Sequence, residues 1–219
     1  SARKLKRGGA NLLPGRILLE YLDPLSVWEM GDHFDLERVL TRGSLPGVYC
    51  DDVEGLEILD SYVNTYLREE IQNEALSKNL GGYARFLDVA AVESGRWLNY
   101  SKVASDTEIP KETIRRYYQI LEDTLLAFRL PSYKSRKHDR RVAQKDRYLL
   151  FDVGVRNTLL KTHRQKMSET EKGLVFEQWM LLQCLYYSRS FKKDWEFYGY
   201  RSDGGAEVDF IIQTQKVLI

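Results

Sequence analysis

Cysteine is scarce: Cys50 and Cys184 are the only two. Two thiols cannot build a disulfide framework, and their rarity fits a reducing, cytoplasmic setting. No run approaches the roughly 20 apolar residues of a membrane span, so no membrane partner is expected, and no secretory signal is visible. The sequence G-x-x-x-x-G-K-[ST] does not occur. The glycine pairs at 8–9, 81–82 and 204–205 lack its lysine, so the chain has no P-loop of its own. His33, His138 and His163 are scattered and neither cysteine lies near another ligand type, which argues against zinc. No serine or cysteine sits in a recognisable nucleophile setting. Internal repeats and low-complexity stretches are absent too.

What remains is an ordinary globular composition with a high charged fraction, over 219 residues. That length holds one large domain or two to three small ones. The near-zero net charge hides an uneven layout. Residues 1–16 carry five basic and no acidic side chains, residues 18–75 carry 14 acidic and three basic, and the rest carries 25 basic and 18 acidic. Modules with different partners would produce this pattern, and so would an acidic face balancing a basic one. Ser1 in place of a start methionine, and the apolar run Val217-Leu218-Ile219 at the other end, predict a piece of a longer protein.

Ile17 to Leu22 reads as a short buried strand, and Ser26 to Met30 as a brief helix or turn. Asp35 is suited to cap a helix through Leu36, Val39 and Leu40, which Gly43-Ser44-Leu45-Pro46-Gly47 ends. Helices are predicted over Asp60 to about Asn73 and over Tyr83 to Ala91. Asn99 is a good N-cap for a short helix with Val103 and Ala104 inward. Thr107-Glu108-Ile109 makes a tight connection, and Pro110 fits the first position of the next helix. Ile114, Tyr118, Leu121 and Leu125 give that helix one apolar stripe. Strands follow at Leu125–Leu130 and Tyr148–Asp152, linked by a basic segment, residues 134–147. Short helix, turn, longer helix and two-strand ribbon together spell a winged helix-turn-helix. Beyond it, Val155 to Leu160 reads as a short helix, Arg164 to Thr170 as a polar loop, and Glu171 to about Tyr187 as a long helix apolar nearly all round. Trp195–Tyr200 and Glu207–Ile212 read as strands, and Val217 would begin a third.

Two constellations carry chemistry. Lys111, Glu112, Arg115 and Arg116 are the exposed positions at the start of the second helix, where a recognition helix meets a major groove. Arginine suits guanine edges and phosphates because its donors form a fixed fork. Arg136, Lys137, Arg140 and Arg141 in the basic loop would sit where a wing touches phosphates. The alternative is a winged helix packed on a protein partner with its charges solvated. The second constellation is Glu177 on the long apolar helix and Asp209 in a strand after Ser202-Asp203-Gly204-Gly205. Paired acids beside Mg²⁺ activate water in metal nucleases. A competent site also wants a Glu-x-Lys on the following strand. The plainer alternative is a structurally paired Glu177 and a solvated Asp209.

Several stretches in order resemble a prokaryotic AAA-type ATPase family. Ser1-Ala2-Arg3-Lys4-Leu5-Lys6-Arg7 and Asn11-Leu12-Leu13-Pro14-Gly15-Arg16 resemble the end of its nucleotide-binding core. Tyr21 to Ser26 resembles its next strand and turn, and Asp35 to Tyr49 its helical lid. Tyr66 to Ile71 is another family-like stretch, and residues 97–131 resemble its winged helix. Phe151-Asp152-Val153-Gly154, Gly173 to Glu177 and Gly205 to Phe210 resemble a C-terminal domain of unknown function similar to PD-(D/E)XK nucleases. The resemblance implies Walker motifs upstream of Ser1, with ATP and Mg²⁺ as cofactors of the full-length protein and none in this segment. It also implies Arg3 and Arg16 as readers of a γ-phosphate, and Glu177 and Asp209 as metal-site positions.

The expected fold class is mixed α/β (α+β). It comprises a core remnant at 1–34, a helical lid and linker at 35–95, a winged helix-turn-helix at 96–152 and a small restriction-endonuclease-like α/β module at 153–219. The function this implies is a DNA- or protein-binding platform coupled to an ATPase core. A Mg²⁺-dependent nuclease and a non-enzymatic transcription regulator are the rivals.

Overall fold

Ser26 starts the first helix by a reciprocal arrangement. Its hydroxyl accepts from the Glu29 amide, and the Glu29 carboxylate accepts from the Ser26 amide at 2.8 Å. Helix α1 (Val27–Met30) passes into a 3₁₀ turn at Gly31–His33. Asp35 caps α2 (Leu36–Arg42) by accepting from the Arg38 amide at 3.0 Å. Then come α3 (Pro46–Tyr49), α4 (Gly55–Ser61), a π-helical stretch at Tyr62–Leu67, α5 (Leu80–Glu93), α6 (Tyr100–Thr107) and α7 (Lys111–Asp123). Strands β1 (Ala127–Leu130) and β2 (Arg147–Leu150) form an antiparallel ribbon pairing Ala127 with Leu150 and Leu130 with Arg147. Helices α8 (Val153–Leu159) and α9 (Glu169–Ser190) precede a second antiparallel pair, β3 (Glu196–Arg201) and β4 (Glu207–Gln213). The computed structural model describes residues 20–51, 54–67, 80–133, 145–202 and 204–214. The class is α+β: mostly helices with two small antiparallel sheets.

Several elements differ from the sequence reading for physical reasons. The helix expected from Asp60 begins at Gly55 and widens into a π-helix at Tyr62. Glu20, Tyr21 and Leu22 form no strand, and Leu22 is fully exposed. Leu125 takes a left-handed φ of 63° after α7, so it turns the chain and the strand starts at Ala127. Asp152 accepts from the Val155 amide and starts α8 two residues earlier than expected. Ser168 likewise caps α9 inside the predicted loop. The predicted strand at Val217–Ile219 lies outside the described residues.

One core cluster runs from α4 and the π-helix through α5, α6, α7, β1 and β2 to α8; Phe86, Ile114, Tyr118 and Leu121 are among its most buried members. A second gathers Val39 and Leu40 of α2 with Val175, Trp179, Leu182 and Tyr186 of α9, and Phe34 stacks on Trp179 with ring centroids 5.8 Å apart. Helix α8 serves both, through Val155 and Leu159 on one side and Val153 on the other.

That double role explains the close docking of α8 on α2. The Asp152 carboxylate accepts from the Ser44 amide at 2.7 Å and from the Ser44 hydroxyl. Asn157 donates to the Leu40 and Thr41 carbonyls at 2.8 and 3.0 Å, satisfying groups that α2 leaves unpaired at its end. Gly154 lies against the Arg42 carbonyl so tightly that a β-carbon there would stand 1.9 Å from the oxygen. Burial pushes the Asp152 carboxyl above its usual range, against the pull of its backbone donors.

Candidate functional site

Helix α6 starts where Asn99 accepts from the Ser101 and Lys102 amides at 3.1 and 3.3 Å. It ends at Glu108, whose φ of 56° reverses the chain. The Pro110 carbonyl then accepts the Thr113 and Ile114 amides and launches α7. One side of α7 is sealed: Ile114, Tyr117, Tyr118, Ile120 and Leu121 are buried, and Tyr118 meets Phe86 and Tyr100 edge-on. The opposite side leaves Lys111, Glu112, Arg115, Arg116 and Gln119 exposed.

These exposed groups are not equivalent. Arg115 donates to Glu112 at 3.0 Å and lies over the Tyr100 ring, 5.3 Å from its centroid. Lys111 and Arg116 make no hydrogen bond or ion pair among the described residues. The patch has acidic borders, since Asp106 and Glu108 are exposed. Lys102 is committed to Glu93 at 2.7 Å, which raises its pKa. Arg136, Lys137, Arg140 and Arg141 lie outside the described residues, as do Arg3 and Arg16.

Arg147 belongs by composition to that basic loop, yet it is the first residue of β2 and is buried. Its guanidinium donates to the Gly95 carbonyl, the Asp209 carbonyl and the Glu177 carboxylate, and it lies over the Trp97 ring. Trp97 in turn donates to Glu207 and packs on Gly199, where any β-carbon would stand 2.8 Å from the indole. Arg147 therefore ties β2 to the segment before α6, to α9 and to β4. Sequence reasoning missed it because it closes a run of solvent-type charges; the only available signal was its place at the head of an apolar strand.

This arrangement brings Glu177 and Asp209 to the same guanidinium, but through different atoms. Glu177 offers its carboxylate; Asp209 offers its backbone oxygen, and its side chain is exposed. Glu177, with Glu93, Lys102, Trp97 and Glu207, borders a cavity of about 360 Å³, in which Arg147 and Glu177 neutralise each other. No group of three or more His, Cys, Asp or Glu side chains able to hold a metal is assembled among the described residues. Among the described residues, no helix is long and apolar enough to cross a membrane.

Fold and site together describe an α+β chain in which α6, α7 and the β1–β2 ribbon follow one another. Residues 33–166 match a family described as a domain of unknown function, DUF8612, and the chain belongs to that family. No curated protein and no solved structure matches it.

Proposed function

We propose that the chain is a winged-helix DNA-binding platform whose α7 enters the major groove of a duplex. In the full-length protein it works under an AAA-type ATPase core that binds ATP and Mg²⁺. Residues 1–34 are then the end of that core, 35–95 its helical lid and linker, and 153–219 a restriction-endonuclease-like module. The observation that supports this reading is the two-sided character of α7. One side is fully committed to the core, and the other presents Lys111, Arg115 and Arg116 near the helix start. A recognition helix makes its base contacts from that end. The nuclease rival is less favoured, because Glu177 is held by Arg147.

Lys111 and Arg116 are the contacts of first importance, and Arg115 joins them by exchanging Glu112 for a phosphate. Three phosphate contacts give a log K against log salt slope of about −3. Fluorescence anisotropy on a labelled duplex, repeated across a salt series, tests this. Replacing Lys111 and Arg116 by Ala should weaken binding at every sequence tried and shrink the slope by about 2. Binding that ignores the double substitution would sink the recognition-helix assignment.

A further inference from the structure

A second cavity, larger than the one beside Arg147 and about 450 Å³ in volume, lies between the segment before α1, the start of β1 and the C-terminal end of α9. Its walls are mostly apolar, with Leu45, Pro46, Leu125, Phe128 and Phe151 among them. Small-molecule sites have volumes of about 300–1,000 Å³ and walls of this kind, with a few polar groups that fix the ligand's orientation. Here the polar groups are charged: Glu20, Asp23, Glu29 and Arg189 border the same cavity.

Their charges do not balance. Arg189 is already committed: it donates from Nη1 to Asp23 Oδ1 at 2.7 Å, and its guanidinium lies over the rings of Tyr21 and Phe128, 4.3 and 4.4 Å from their centroids. Glu20 is neutralised by Lys192 at 2.7 Å. Asp23 and Glu29 are then left against one arginine, an excess of one negative charge. Both carboxylates also have an oxygen to spare among the described residues. Glu29 Oε2 accepts from the Ser26 amide and hydroxyl, at 2.8 and 2.7 Å, and Oε1 accepts from nothing. Asp23 Oδ2 has no donor either, although its side chain keeps only 12% of its surface open. A carboxylate drawn out of water with an oxygen unpaired is costly. Burial first, and Glu29 beside it, hold the Asp23 carboxyl above its usual range against the pull of Arg189.

We propose that this cavity binds a small aromatic amine, with its ring among the apolar walls and its ammonium at the Asp23 and Glu29 carboxylates. An ammonium brings three donors and one positive charge. That matches the spare acceptors and the single excess negative charge, and hydrogen bonds between charged partners are the strong ones. A neutral ligand of the same shape leaves the excess in place, and an anion adds to it. Phe128 and Phe151 suit a flat ring on the apolar side. The site is independent of the DNA-binding reading, since it uses neither Lys111 nor Arg116.

Tryptamine is the probe, with tryptophol as its neutral counterpart and indole-3-acetate as its anionic one, on the full chain at constant ionic strength. Titration calorimetry should give tryptamine an affinity at least about tenfold above that of tryptophol, and indole-3-acetate should not bind. Thermal unfolding should shift upward with tryptamine. Glu29→Gln removes one charge and keeps the helix cap, because glutamine also serves at that position. It should weaken tryptamine by about threefold or more, and Asp23→Asn by about tenfold or more. Both should narrow the ratio of tryptamine to tryptophol affinity, whereas a variant that merely damages the cavity weakens the two ligands alike and keeps the ratio. If Asp23→Asn does not fold, Glu29→Gln decides. The proposal is overturned if tryptamine does not bind, which would mean a cavity closed to ligands in solution. It is overturned equally by tryptophol or indole-3-acetate binding as tightly as tryptamine, or by a ratio that every folded variant keeps.

Discussion

Gly154→Ala puts the α2–α8 junction to the test. The added β-carbon would stand 1.9 Å from the Arg42 oxygen, 2.3 Å from its carbonyl carbon and 2.7 Å from the Gly43 nitrogen, all backbone atoms that no rotamer can move. Contact at about 3.5 Å requires the two segments to part by roughly 1.6 Å. Three of the hydrogen bonds that bridge this interface are the Ser44 amide to Asp152 at 2.7 Å, and Asn157 to Leu40 and Thr41 at 2.8 and 3.0 Å. Such a displacement stretches all three past bonding range. Overpacking costs about 1–3 kcal/mol, and each lost bond costs about 1 kcal/mol. Partial relaxation leaves a net loss of roughly 3–5 kcal/mol, or on the order of 10 °C in melting temperature for a chain of this size. Urea unfolding followed by far-UV circular dichroism measures it. Gly173→Ala is the internal control: it sits inside α9 with nothing within 4 Å of the new carbon, so it should stabilise by up to about 0.8 kcal/mol through helix propensity. A Gly154→Ala protein within about 0.5 kcal/mol of its parent would refute the account of the junction.

Asp152→Asn should cost about 1–3 kcal/mol, because one amide oxygen cannot serve both Ser44 and the Val155 amide. Its pH dependence has a definite sign. Burial raises the carboxyl pKa in the native state, so the native state holds the proton longer than the unfolded chain. The parent's advantage over Asp152→Asn is therefore full below the unfolded carboxyl pKa and shrinks as pH rises through the native value; an advantage that grows with pH contradicts this. Arg147→Met should destabilise by about 3 kcal/mol, since it strands Glu177 and frees two carbonyls. Glu177→Gln should cost less, because the amide oxygen still accepts from Arg147. Equal losses in the two variants would show that charge, and not the network of acceptors, matters at this position.

The local rules were the legible part of the sequence. Asp35, Asn99 and Ser26 each announce a helix start, and each accepts the amides that position requires. The stripe of Ile114, Tyr118 and Leu121 marks the buried side of α7, although Tyr117 and Ile120 are buried beside it and widen the stripe. Long-range pairings left no trace in any local pattern. Nothing in the neighbourhood of Arg147 says that its counter-charge lies 30 residues away on α9. Gly154 looks like a turn glycine until Arg42 is seen against it. Arg156, the one charged residue of α8, carries no local sign of its burial. Exposure on α7 followed from helical period; occupancy at Glu177 depended on tertiary contact and stayed open between a metal and a salt bridge.

The Ser44–Asp152 bond spans 108 residues of sequence, and that separation has a consequence during synthesis. At about 5–20 residues per second, Asp152 leaves the ribosome roughly 5–20 s after Ser44. Through that interval Val39 and Leu40 have neither α8 nor α9 to cover them, and α6 and α7 are made while their neighbours still wait. Closing so long a loop also carries an entropic cost of about 4 kcal/mol, which grows only slowly with further length. Docking of α8 is thus a late, slow event in the nascent chain, and the interval before it is when α2 is most open to aggregation or to capture by a chaperone.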